Sequence, residues 1–199
     1  HEMKTPLTSI LGFSDLLQIK RDISEESRME YAGIIKEEAS RMRTLSGKLM
    51  ELITVGEANL EWKEADMAQL FEEIGISLKV ITDNHHMEFS CVSAPGTLCV
   101  DRELFKSLLY NLVDNAVKAS EEGAYIQVEG HFEREEFCIR VTDEGVGIPE
   151  GEVEKITEAF YMVDKARGRA SGGAGLGLAL CSEIISLHQG SLQFESRLG

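Results

Sequence analysis

The sequence predicts an α+β chain: a helical hairpin over residues 1–56, then an α/β sandwich with a mixed sheet over 57–199. Three observations predict it. Apolar residues recur at steps of three and four between residues 3 and 52, and that pattern breaks at Gly56. Beyond the break, alternating runs and helical stripes segregate instead of succeeding one another as β-α-β units. The composition, 43% hydrophobic and 28% charged, is that of a soluble globular chain.

The elements follow in order. Residues 1–20 place Met3, Leu7, Ile10, Leu11, Ser14 and Leu17 on one helical stripe. Asp22-Ile23-Ser24-Glu25-Glu26 is a turn, with Ser24 as the N-cap of the next helix. That helix carries Ile35, Ala39, Met42, Leu45, Leu49 and Leu52 on one stripe, with Lys36, Glu37, Arg41 and Lys48 on its other sides. Alone the hairpin leaves an apolar face wet, so it is expected to pair with a second copy as a dimeric four-helix bundle. In the second unit the spacing predicts helices over 67–81, 101–120 and 178–188 and strands over 87–92 and 97–100. An antiparallel hairpin from 125–132 and 137–141 and a last strand over 192–195 complete the unit. Gly190 is expected to cap the last helix, beside a His188 whose positive charge would suit the helix C-terminus. The other histidines, His85, His86 and His131, are read as structural, and Trp62 as a packing anchor between the two units.

Charge and cysteine usage narrow the chemistry. Acidic residues number 35 against 20 basic ones, a formal charge of −15, which argues against a nucleic-acid or anionic-membrane partner. A phosphate ligand held locally by backbone N–H groups and Mg²⁺ is still allowed. Cys91, Cys99, Cys138 and Cys181 form no CxxC pair, and no histidine sits at metal-ligand spacing from two of them. They are expected to be reduced, buried thiols of a cytoplasmic protein. No apolar run reaches the ~18 residues of a membrane span, and no signal peptide opens the chain. A chain that opens inside a helix is expected to be part of a longer protein whose membrane anchor lies upstream.

Three stretches carry the chemistry together: "NLVDNAVK" (111–118), "DEGVGIP" (143–149) and "GGAGLGLAL" (172–180). Gly173, Gly175 and Gly177 precede a helix, and helix N-termini without obstructing Cβ atoms bind phosphate. Asp143 ends a strand before the Gly145-Val146-Gly147 turn, where a carboxylate can accept from the exocyclic amine of adenine. Asn111 and Asn115 project from one helical face, Asn115 suits Mg²⁺ through its amide oxygen, and Lys118 can reach a phosphate. Between them "YMVDKARGRASGG" (161–173) is long, polar and basic, as expected of a lid whose Lys165, Arg167 and Arg169 meet phosphates. In this order the three stretches point to ATP.

With "HEMKTPL" at the start and "EAFYMVDKAR" (158–167) between turn and glycine run, the chain resembles the catalytic core of a sensor histidine kinase of two-component systems. The match covers nearly the whole chain. "HEMKTPL" looks like the phosphoacceptor box, and the four later stretches look like the N, G1, F and G2 boxes of the ATP-binding domain. The resemblance implies that His1 takes the γ-phosphoryl group of ATP on Nε2 while Glu2 accepts the Nδ1 proton as general base. Thr5 would orient a water for dephosphorylating the partner regulator. Asn115 would ligate Mg²⁺ and Asp143 read adenine, while Asn111, Gly145, Gly147, Lys118, Lys165, Arg167, Gly173, Gly175, Leu176 and Gly177 line the nucleotide. Two positions depart from the family: Thr157 stands where phenylalanine often opens the F box, and Ala119 where an aromatic often follows the N-box lysine. Pro6 is expected to bend the first helix beside His1.

The expected activity is ATP-dependent autophosphorylation of His1 and transfer to an aspartate of a response regulator receiver domain. The alternative is an ATP-binding signalling scaffold, or a phosphatase-dominant variant with weak kinase activity. Relatives that share the nucleotide pocket, such as DNA gyrase, a heat-shock chaperone and mismatch-repair ATPases, lack the preceding hairpin with its HExxTP element.

Overall fold

A computed structural model of the chain describes residues 3–19, 23–56, 60–164 and 173–198. Helices α1 (Lys4–Ile19) and α2 (Glu25–Gly56) form the expected hairpin, and Ser24 caps α2 by accepting from the Ser27 N–H at 3.2 Å. Phe13 and Tyr31 meet with ring centroids 5.3 Å apart. In an antiparallel pair that contact puts Lys4 level with about residue 40 of α2, so the last ~16 residues of α2 run past the start of α1. Pro6 sits in the first turn of α1, where the missing N–H costs nothing. The carbonyl it was expected to displace belongs to Glu2, outside the described residues.

The hairpin stays apolar on its surface. Met3 just before α1, Leu7, Leu11 and Leu16 of α1, and Met29, Met50 and Ile53 of α2 are all exposed. That is the unpartnered face the four-helix-bundle expectation requires. Among the described residues, no helix is long and apolar enough to cross a membrane.

Strand β1 (Lys63–Asp66) leads into α3 (Met67–Asn84), then come β2 (Glu88–Ser93), β3 (Thr97–Val100), α4 (Arg102–Ala119), β4 (Tyr125–Glu133), β5 (Glu136–Thr142) and α5 (Gly177–Leu187). β2, β4 and β5 form a three-stranded sheet, β2 parallel and β5 antiparallel to the central β4, which is the mixed sheet expected. β1 pairs with β3 in a separate antiparallel ribbon, from Lys63 opposite Val100 to Asp66 opposite Thr97. Asp66 caps α3 through the Gln69 N–H, and Asp101 caps α4 through the N–H groups of Glu103 and Leu104. Met67, Leu70, Phe71, Ile74 and Leu78 of α3 and Phe105, Leu109, Val113, Ala116 and Val117 of α4 close over Ile126 and Val128 of β4.

Three expectations are corrected. β1 went unseen because "KEAD" has no alternation; pairing with β3 makes it a strand. Residues 192–195 form no strand; Leu192 packs on the α4–α5 cluster, and the segment meets the Gly147-Ile148 turn through Ile148 N–H donating to Ser196 Oγ at 2.8 Å. α5 ends on Gln189, at φ 57°, with Gln189 and Gly190 N–H groups returning to Ser186 and Ile185 carbonyls, so glycine is one residue beyond the left-handed position. His188 is held by both ring nitrogens: Nδ1 meets the Ile184 carbonyl at 2.8 Å and Nε2 accepts from the Asp101 N–H at 3.3 Å. Trp62 meets that same ring edge-on at 5.1 Å, so it anchors the start of the second unit to the end of α5.

Two outcomes follow. Leu109 is fully buried and Ile76 is 68% exposed. Leu109→Ala should cost about 2–5 kcal/mol in urea unfolding, and Ile76→Ala less than about 0.5 kcal/mol. Burial pushes the Cys91 thiol up to about 11 and the Cys181 thiol up to about 12, whereas Cys99 is exposed. Iodoacetamide at pH ~8 should therefore modify Cys99 in the folded chain and reach Cys181 only after unfolding, as read by peptide mass spectrometry.

Candidate functional site

The amide- and glycine-bearing stretches come together along α4. Asn111, Asp114, Asn115 and Lys118 recur at steps of three and four, so they form one polar stripe on a helix that is otherwise largely buried. Gly177, the first residue of α5, approaches this stripe so closely that a Cβ there would lie 3.2 Å from Asn115 Nδ2 and 3.4 Å from both Asn115 Oδ1 and Asn111 Oδ1. One turn on, the Ala119 carbonyl accepts from the Val146 N–H at 3.1 Å, and a Cβ on Gly145 would fall 2.8 Å from that of Ala119. Glycine is required sterically at 145, whereas a side chain at 177 would be tight and would make the Asn115 and Asn111 amides shift by a few tenths of an ångström. Gly175 has φ 66° and its carbonyl accepts from the Phe160 N–H at 2.8 Å, which draws residues 158–161 to the same place.

Within this frame several groups are arranged for a ligand. Asp143 lies just past the end of β5, exposed; its Oδ1 accepts from the Gly145 N–H at 2.9 Å, which fixes the carboxylate and leaves its second oxygen outward. α5 starts after Leu176, which provides no side-chain cap, so its first N–H groups are available to an anion. Asn115 Nδ2 is buried with no hydrogen-bond partner among the described residues, and it lies against that same helix start. An unpaired buried amide costs about 1–3 kcal/mol, which a bound anion would relieve. These groups fit the phosphates of a nucleotide: a buried amide N–H, a glycine approach and a helix start with no side-chain cap lie together.

The structure also adds residues that sequence patterning assigned elsewhere. Lys48, placed among the outward charges of α2, donates to Asn111 Oδ1 at 3.1 Å and to Asp114 Oδ2 at 3.2 Å. Glu51 takes the Ser107 hydroxyl, and Leu52 and Val55 pack on Leu108, Leu180, Cys181 and Ile184. The overhanging end of α2 is thus docked on α4 and α5. The only sequence signal was a lysine four residues before Leu52 on a long helix with no obvious partner. Asn111, 6% exposed, is fully engaged, since its Nδ2 donates to the Ser107 carbonyl at 2.9 Å. Lys118 pairs with Asp114 at 2.7 Å instead of pointing into open solvent. Burial alone would raise the Asp114 carboxyl; hydrogen bonds and charge from Lys118 and Lys48 outweigh it and hold the group below the usual carboxylate range. The stability it lends is therefore present above the unfolded value near ~3.9 and is lost only as pH falls through the lower folded value.

Thr5 is exposed on the first turn of α1. His1, Glu2, Lys165 and Arg167, together with the lid arginine Arg169, lie outside the described residues. Gly147 has φ 75°, and Leu176 is buried beside the start of α5.

Residues 1–57 match the family described as His Kinase A (phospho-acceptor) domain, and residues 100–199 match the histidine kinase-, DNA gyrase B- and HSP90-like ATPases. The signal transduction histidine-protein kinase ArlS of Staphylococcus epidermidis is 34% identical over 205 residues, covering 100% of this chain and 44% of its own length. ArlS of Staphylococcus haemolyticus is 33% identical with the same coverage. The chain thus spans less than half the length of these relatives. Among solved structures, Acinetobacter baumannii histidine kinase AdeS has a TM-score of 0.75 at 19% identity, covering 100% of this chain and 92% of that one, a likeness of fold. The histidine kinase ThkA, solved in complex with the response regulator protein TrrA, has a TM-score of 0.73 at 26% identity, covering 96% of this chain and 53% of that one.

Lys48→Met should loosen the docked end of α2 without unfolding the core. The half-exposed ion pair is worth at most about 1 kcal/mol, so hydrogen exchange in residues 48–56 should quicken about fivefold at most while that of α3 is unchanged.

Proposed function

The chain belongs to the histidine kinases, and from that we propose that it is the phosphotransfer core of a two-component sensor. In this reading residues 1–56 are the dimerising phosphoacceptor hairpin and 57–199 the ATP-binding domain. The observation that carries the proposal is the convergence on α4: the orphaned amide of Asn115, the uncapped start of α5 at Gly177 and the Asp143–Gly145 turn surround one space. The matched family boundaries, 1–57 and 100–199, support the division.

The residues divide the work. Asp143 receives the adenine amine, and Gly173, Gly175, Leu176 and Gly177 present backbone N–H groups to the phosphates, with Lys118, Lys165 and Arg167 balancing their charge. Gly145 and Gly147 let the turn approach the base, and Asn111 holds the helix face on which Asn115 sits. Asn115 would hold Mg²⁺ through its amide oxygen, and the ion when bound supplies charge neutralisation at the phosphates. His1 Nε2 attacks the γ-phosphorus; the N–P bond forms as the bond to the β-phosphate oxygen breaks and ADP departs. Glu2 accepts a hydrogen bond from Nδ1–H, which holds the neutral tautomer with Nε2 bare, and takes that proton as the N–P bond forms, so the phosphorylated ring is neutral. The phosphoryl group then passes to an aspartate of a receiver domain, and Thr5, exposed on α1, orients the water that later removes it from the regulator.

Docking supports the geometry. Because α2 runs past the start of α1, the unit held by Lys48, Glu51 and Val55 lies toward the end of the hairpin at which His1 stands in sequence. The exposed apolar stripes of α1 and α2 support a homodimer, and the longer relatives support a whole protein anchored in a membrane with this part on the cytoplasmic side.

Incubation with γ-labelled ATP and Mg²⁺ should label the protein in an acid-labile, base-stable form that His1→Gln abolishes. ATP hydrolysis without any such label would sink the kinase reading and favour the ATP-binding scaffold.

A further inference from the structure

The outer face of the β4–β5 hairpin carries a second constellation, away from the nucleotide space. His131 and Glu133 are two residues apart on β4, so they share a face. Cys138 of β5 is the direct cross-strand partner of His131. One ligand atom from each of these three side chains, an imidazole nitrogen, a carboxylate oxygen and the thiol sulfur, lies within 4.8 Å of the others. Around a tetrahedral ion at about 2.0–2.3 Å the ligand atoms stand ~3.3–3.8 Å apart, so closing the set needs movements of about 1 Å. Side-chain rotation supplies that without disturbing the strands.

The scaffold is rigid and the field is favourable. β4 is paired with β2 as far as Gly130 and with β5 through Glu133, and the inward side of the hairpin is fixed by Phe132 on Phe137 (4.8 Å) and Phe137 on Phe71 (5.9 Å). The strands are joined by only Arg134 and Glu135, with Arg134 held at φ 57°. Glu129, Glu133, Glu135 and Glu136 stand against Arg134 and Arg140 in this stretch, a net negative surface for a cation.

We propose that His131, Glu133 and Cys138 bind a thiophilic divalent cation, Zn²⁺ above all, with water at the fourth position. A mixed nitrogen, oxygen and sulfur set suits Zn²⁺ and disfavours Mg²⁺ and Ca²⁺, which take oxygen ligands. Cys138 lies five residues before Asp143, ~17 Å along an extended strand, so this ion is distinct from the one that accompanies nucleotide. The proposal stands whether or not the chain is a kinase.

The test uses the reduced, chelator-stripped chain and Zn²⁺ alone. One equivalent of Zn²⁺ should slow alkylation of Cys138 by iodoacetamide at least tenfold and leave Cys99 unaffected, with peptide mass spectrometry reading both sites. His131→Gln should weaken Zn²⁺ binding by about 10–100-fold or more, since loss of even an outer partner costs that much, and remove the protection. Cys181 must stay unmodified in each variant, which certifies the fold. Replacement of Zn²⁺ by Co²⁺ should produce a thiolate charge-transfer band that Cys138→Ser eliminates. Equal alkylation of Cys138 with and without Zn²⁺ overturns the proposal, as does protection that survives His131→Gln. Protection by Mg²⁺ as effective as by Zn²⁺ overturns it too.

Discussion

One helix has to satisfy three neighbours at once, and the second unit is organised around that demand. α4 turns Phe105, Leu109, Val113 and Val117 to the sheet, Leu108 to α5 and α2, and a polar stripe to the seam between them. A polar stripe flanked on both sides by apolar contacts must be hydrogen-bonded or it destabilises the fold. Asn111 meets that requirement with Ser107 and Lys48, and Asp114 with two lysines. Asn115 Nδ2 finds no partner among the described residues, and it lies where Gly177 brings the start of α5 close. The cost is concentrated at the ligand space, which is where strain and orphaned groups are useful.

Much of this was legible in the chain. The stripes of α3 and α4 follow the helical period closely, and Asp66 and Asp101 sit where caps belong, because burying an apolar face imposes the same spacing that the fold later uses. The glycine turns and amides of the nucleotide site were legible for a related reason: the chemistry needs missing Cβ atoms and short polar side chains at fixed positions. What the chain hid were relations settled only by pairing. "KEAD" becomes a strand because β3 lies beside it, and Leu192-Gln193-Phe194-Glu195 does not, because no described strand pairs with it and the chain meets the adjacent turn through the Ser196 hydroxyl. Lys48 looked like a solvent charge on α2 until a helix 63 residues further on supplied its acceptors.

The β4–β5 hairpin makes the same point from the other direction. His131 and Cys138 are seven residues apart, a spacing that matches no linear metal motif. A two-residue turn folds that separation into a cross-strand pair, and the strand period then adds Glu133 to the same face. Strand register can therefore assemble a donor set that no scan of the sequence for spaced cysteines and histidines would find.

Asp114 is shared, and sharing has a direction. Two ammonium groups divide one carboxylate, Lys118 from its own helix and Lys48 from α2. An anion that draws Lys118 away leaves the whole carboxylate to Lys48, so filling the pocket strengthens the grip between hairpin and domain. Linkage is reciprocal in free energy: whatever presses α2 onto α4 must raise affinity for that anion by the same factor. A force that shifts α2 against α4 and an anion that draws on Lys118 would then act on one and the same carboxylate.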